Sequence, residues 1–301
     1  MFSTKLIYIP ALVAVGLLYS GVYPVNKMSA DADLPYVGYV FWLSLLGFAA
    51  TGIPAAIRRE LPKLSWPSLR AYLVLGALGV AIPAPVLVYV AAKLPVGIVT
   101  LLMILVPLLT YALSYAVKIE KFRVSGLIGL CFGLAGMLLI LVPDMGLPSR
   151  DMLGWVLLAL VAPLCFAATN TMAAYLRPPA APSLAMATGM QGAASIFLLP
   201  IMFATGEDFI FPGPTLDGAL IVLYAAGITA ATMVSWFALV RVVGPVYFSQ
   251  FSYFVVLGGF VWGILFFDER PTLYIWGAAA LACLGLAIFT LGARIAHKSS
   301  S

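Results

Sequence analysis

"VKIEKFRVSGLIG" (117–129) places four charges, Lys118, Glu120, Lys121 and Arg123, directly before a glycine-bearing apolar run. "FFDERPTLYIWG" (266–277) does the same with Asp268, Glu269 and Arg270. Only 9% of the 301 residues are charged, against about 25% in soluble domains, so two such knots stand out. A shift of 149 residues (269 minus 120) lays Glu120 on Glu269, Lys121 on Arg270 and Gly136 on Gly285. At 146 (200 minus 54), Pro54 meets Pro200, and at 144 (170 minus 26), "NKM" (26–28) meets "NTM" (170–172). Small changes of offset are what loop insertions between two copies produce. The chain therefore reads as a duplication, 1–145 and 146–301, joined near "PDMGLPSRD" (143–151).

Each copy is built from apolar runs. The chain is 63% hydrophobic with a mean hydropathy of +1.10. Its charge-free stretches are 6–26, 34–57, 71–92, 94–117, 124–143, 152–176, 178–206, 218–240, 242–267 and 271–293, each of at least 20 residues. A helix needs roughly 20 residues to cross the hydrocarbon core. Helices buried in a large soluble protein would keep a polar face, and these runs have none. The expected fold is an all-α integral membrane protein of ten transmembrane helices in two five-helix repeats. Five is odd, so the second repeat enters the membrane from the opposite side. Inverted repeats of this kind recur in secondary transporters, where two halves rock about a central site. The first run, preceded by Lys5, could also be a signal peptide. Its length and the absence of an A-x-A site before Asn26 and Lys27 favour a retained helix.

Charge sets the orientation. With the N-terminus inside, ten crossings put 12 of the 16 basic residues on the inner side and leave Lys27, Lys93, Arg150 and Arg270 outside. Basic residues concentrate in cytoplasmic loops, so both termini are expected in the cytoplasm. The net charge of +5 is thus a topology signal, and no nucleic-acid partner is expected. The expected partners are a small-molecule substrate and the lipid bilayer, with the protein a monomer or homodimer.

The chain resembles the EamA branch of the drug/metabolite transporter superfamily. The likeness rests on Pro107, Glu120, Gly129 and Gly136, and on Glu269, Gly277 and Gly285 in the second copy. Val256 departs from it, since the family often has proline there. The resemblance implies a ten-helix exporter of amino acids, metabolites or drugs in a bacterial inner membrane. It brings no catalytic signature.

Enzyme motifs are absent: there is no HExxH, GxSxG, P-loop or Cys/His cluster, and His297 is the lone histidine. No cofactor and no metal are expected. Cys131, Cys165 and Cys283 lie in apolar runs and imply no disulfide framework. The acids lie at loops, where Glu120 and Glu269 have an ordinary role as helix caps or partners of adjacent bases. What the spans do hold is uncharged polarity. Asn170 and Gln191 are amides inside apolar runs, where each needs a partner: another helix, or the pore. Trp42, Tyr89, Tyr111, Trp236, Gln250 and Tyr253 complete an expected substrate-binding lining. Lys93 and Arg241, single cations at opposite mouths, and Asn26 are the gating candidates. Lys93 either snorkels to the interface or closes the outer gate with an acid of the other half. Pro24, Pro83, Pro85, Pro107 and Pro163 break helix hydrogen bonds and shape the cavity. Gly126, Gly129, Gly133 and Gly136 let span five approach its counterpart ten, making that pair scaffold or dimer contact.

The reading is an exporter of a small neutral or zwitterionic solute, such as an amino acid or related metabolite, working by alternating access. Alternatives are a non-transporting scaffold or receptor, a membrane-embedded enzyme, and a multidrug exporter of the same fold. Phosphorylated substrates would need central Lys or Arg, which the spans lack. Single cysteines at Ser65 and Ser149 should react with impermeant maleimide from opposite faces of the membrane. Labelling of both from one side would rule out this topology.

Overall fold

The computed structural model describes residues 8–122, 124–141, 150–178, 181–212 and 216–298. Lys5, Arg123, Asp144, Ser149, most of the junction between the repeats and the terminal serines lie outside them. Eight helices are long and apolar enough to cross a membrane: α1 (Ile9–Asp31), α2 (Tyr36–Ile57), α3 (Trp66–Ala91), α4 (Val96–Ala116), α6 (Leu153–Leu176), α7 (Ser183–Thr205), α8 (Leu216–Val243) and α9 (Pro245–Phe267). Two more, α5 (Val124–Leu141) and α10 (Leu273–Lys298), carry shorter apolar stretches, Val124–Gly136 and Leu273–Gly285. Among the described residues the fold is all-helical, with eight spans by length and composition rather than the expected ten.

The packing repeats across the halves. Helix α1 lies on α9 as α6 lies on α4, and α2 lies on α8 as α7 lies on α3. The pairs α2–α7, α4–α9 and α5–α10 each join a helix to its own counterpart. Exchanging one repeat for the other leaves this set unchanged. Helices α4 and α9 even open alike, on Pro95-Val96 and Pro245-Val246. The α5–α10 pair is close enough that a Cβ at Gly136 would stand 2.8 Å from the Ala278 carbonyl oxygen.

Several spans are interrupted, and proline explains where. A proline ring clashes with the carbonyl four residues before it. Pro24 accounts for the break of α1 at Gly21, Pro107 for the break of α4 at Met103–Ile104, and Pro163 for the break of α6 at Leu160. In α3 the turn before Pro83 widens into a π-helical segment, Ala77–Ala81. Helix α9 breaks at Ser249–Gln250 without a proline. There the Ser249 hydroxyl donates to the Val246 carbonyl (2.8 Å), offering that oxygen a partner outside the helical ladder.

The two halves are tied at one face by carboxylates of the second. Glu269 accepts from the backbone N–H groups of Val96 (2.6 Å) and Gly97 (2.9 Å) at the start of α4, and from Lys27 Nζ (3.3 Å) at the end of α1. Glu207 accepts from the Tyr36 N–H (3.0 Å) that opens α2. The sequence paired Glu269 with Arg270, and Lys27 with Asp31 and Asp33. The structure joins Lys27 to Glu269 instead, because the orphan amides of α4 draw the carboxylate across the interface. Glu269→Ala should lower the unfolding temperature in detergent by the equivalent of about 2–3 kcal/mol, since it strips charge-assisted bonds from partly buried donors. Lys27→Met should cost less. Thermal unfolding of both variants checks the order.

Candidate functional site

Successive turns of α1 present Tyr19, Val22, Tyr23 and Asn26 to the centre of the bundle, and α8 presents Thr229, Thr232, Met233 and Trp236. Both sets run at i, i+3, i+4, i+7, the spacing of one helix face. They surround two adjoining cavities that share Tyr19, Tyr23, Gly79, Phe166 and Met233. The first encloses about 550 Å³ of space between atoms, counting its open side, and the second about 500 Å³. The breaks described above line them: Met103 from α4, Phe248 and Phe251 flanking the break of α9, and Gly79 from the π-segment of α3. Gly79 must be small, because a Cβ there would collide with Met190 Cε and crowd Thr169.

The walls combine aromatic rings with uncharged polar groups. A chain of rings runs Tyr23–Tyr19–Phe251–Phe248–Trp236, with centroid separations of 5.9, 6.1, 4.7 and 6.5 Å. The Trp236 indole N–H donates to Asn170 Oδ1 (2.9 Å), and Asn170 Nδ2 reaches Thr110 Oγ1 (3.4 Å). Tyr39 donates its hydroxyl to Asn26 Oδ1 (3.2 Å). Asn26 and Asn170, matched at the 144-residue shift, are thus each held by a neighbouring helix at the cavity wall. No Asp, Glu, Lys, Arg or His lines either cavity. Among the described residues, no three His, Cys, Asp or Glu side chains gather as a metal site.

The structure brings together Asn170, Trp236 and Asn26, and places the other candidates elsewhere. Trp42 is half-buried and donates to the Phe209 carbonyl (2.8 Å) in the loop after α7. Tyr89 is exposed, against Tyr36 and Trp155. Tyr111 is buried at the far end of α4, its hydroxyl directed at the Lys121 carbonyl (3.3 Å). Gln250 sits in the break of α9, and Tyr253 is buried in the apolar cluster around α4 and α9. Gln191 is fully buried between α7 and α2 against Gly47, and neither of its amide atoms finds a protein partner. It lines neither cavity.

The cations also lie outside the cavities. Lys93 is exposed, and the ion pair joining the halves near it belongs to Lys27. Arg241 is exposed near Arg177, whose guanidinium donates to the carbonyls of Phe237 (2.7 Å) and Ala181 (2.6 Å). Burial, and then the Arg241 charge, lower the Arg177 pKa. Unforeseen members of the lining are Tyr19, Tyr23, Thr232 and the phenylalanines of α9. Their signal in the sequence was the helical spacing around Asn26 and Trp236.

The EamA-like transporter family matches the chain twice, over residues 6–142 and 153–291. The chain belongs to that family. It is a two-repeat, multi-pass membrane transporter, and the cavity between the repeats is where an EamA-like protein has room for a solute. A crystal structure of a protein 18% identical to this EamA-like chain superposes with a TM-score of 0.62, covering 95% of this chain and 98% of that one, and so shares the fold. Comparison with curated proteins gives no match.

Gln191→Met should stabilise the protein by about 1–2 kcal/mol, because it replaces a buried amide without partners by an apolar chain of similar length. Thermal unfolding in detergent would show it. A fall in melting temperature would instead give the amide a partner in the folded state.

Proposed function

We propose that the chain is a secondary transporter that exports a small solute without net charge, neutral or zwitterionic, by alternating access through the central cavity. The carrying observation is the cavity itself: charge-free, ring-lined, and walled by interrupted helices of both repeats. Interrupted spans flanking a central site are the usual architecture of secondary transporters, because broken helices can re-aim their halves with little loss of packing. A scaffold or receptor would not require paired breaks. In this reading α5 and α10 also cross, giving ten spans in two inverted repeats divided near 145/146. Both termini then face the cytoplasm of a bacterial inner membrane, in keeping with the basic residues of the loops. The gates form where α4 and α9 open, with the Glu269–Lys27 contact holding the outer mouth shut. The partners are the solute and the bilayer.

A second reading, export of several unrelated compounds, is favoured by Met103, Met190 and Met233 in the walls. Flexible thioethers adapt to different shapes.

Counterflow in proteoliposomes over a panel of amino acids and uncharged metabolites tests the proposal. At least one should exchange faster than in protein-free vesicles. Trp236→Ala should slow that exchange by about tenfold while leaving insertion intact, since it removes a cavity wall and strands Asn170 Oδ1. No exchange across the panel, with folded protein, would count against transport.

A further inference from the structure

Two hydroxyls in the first cavity have no partner in the protein. Tyr23 is 4% exposed and Thr232 is 2% exposed, and neither Tyr23 Oη nor Thr232 Oγ1 makes a hydrogen bond. Other polar groups nearby are engaged: Asn170 and Trp236 hold each other, Thr169 donates to the Cys165 carbonyl (2.7 Å), and Asn26 accepts from Tyr39. Leaving a buried hydroxyl without a partner is costly unless something else completes it. Both open groups point to the same ring-lined space, where no charged side chain stands.

From this we infer the class of the solute, an inference that rests on the transport cavity proposed above. It is an uncharged molecule with a flat, apolar, ring-sized body and two hydrogen-bonding groups. One group meets the Tyr23 hydroxyl and the other the Thr232 hydroxyl, while the body lies along Tyr19, Phe251 and Trp236. A zwitterion fits the cavity poorly. Its ammonium and carboxylate would each leave water for walls that offer neither an opposite charge nor a ring of donors. The site thus selects against charge by what it omits, and for two polar groups by what it leaves open.

One phenylalanine body in four charge states provides the test. N-acetyl-phenylalaninamide is uncharged, phenylalanine zwitterionic, phenylalaninamide cationic and N-acetyl-phenylalanine anionic. Calorimetric titration of the full chain in lipid nanodiscs, against empty nanodiscs, should give the uncharged compound at least about tenfold tighter binding than the other three. Tyr23→Phe and Thr232→Val should each weaken that binding by about fivefold to tenfold. Neither should lower the melting temperature of the ligand-free protein, as loss of a structural hydrogen bond would. Equal or tighter binding of the zwitterion overturns the inference, as does binding of none of the four. Unchanged affinity in both variants removes Tyr23 and Thr232 from the site. If the uncharged compound binds but does not exchange across proteoliposomes faster than across protein-free vesicles, transport fails and the binding class stands.

Discussion

The Glu269 carboxylate on the first amides of α4 is the contact on which the arrangement of the two halves turns. A helix that begins inside a membrane protein exposes N–H groups that water does not reach, and its dipole makes that end positive. The first half supplies no acid there. The second half does, with Glu269 at α4 and Glu207 at α2, so two helices of one repeat are completed by the other. Lys27 then ties α1 into the same group. Docking of the halves and satisfaction of these helix ends are therefore one event at this face, and any motion that parts the halves must also uncap α4.

The central space follows from a second constraint, the proline rule. Three interruptions fall three to four residues before a proline, and the π-segment of α3 falls just before another. Each removes backbone bonds at the depth where the cavity lies. An uninterrupted bundle of apolar helices would close on itself, because side chains pack to high density wherever they can. Here irregular backbone is tolerated because it lines a cavity rather than lipid.

Those features were legible in the sequence to different depths. The spans, the duplication and the breaks at Gly21, Met103 and Leu160 could be read from charge-free runs, matched residues and prolines, all of them local signals. The break of α9 could not, since a serine hydroxyl produces it and serine is common in loops and helices alike. Asn170 and Trp236 stood out as polar or amphipathic groups in mid-span, and they meet. Gln191 looked the same but faces α2. Helix α7 is apolar on every side, so nothing in its sequence fixes which face turns inward. Tyr19 and Tyr23 resembled interface aromatics because they stand near the end of the first run, yet both line the cavity, one on each side of the break at Gly21. Lys93 and Lys27 were both cations at one mouth. Only the chain path shows that Glu269 reaches Lys27.

The charge-free centre also fixes how the protein meets the membrane's electric field. A potential of 100 mV does work of about 2.3 kcal/mol on each elementary charge carried across it. The charges nearest the cavities, Lys27, Glu269 and Arg177, sit at helix ends and in loops, and the walls between them hold none. The potential finds nothing to pull on as the empty cavity turns from one face to the other. Its cycle is electrically silent, and the energised membrane acts only through whatever charge the cargo itself brings.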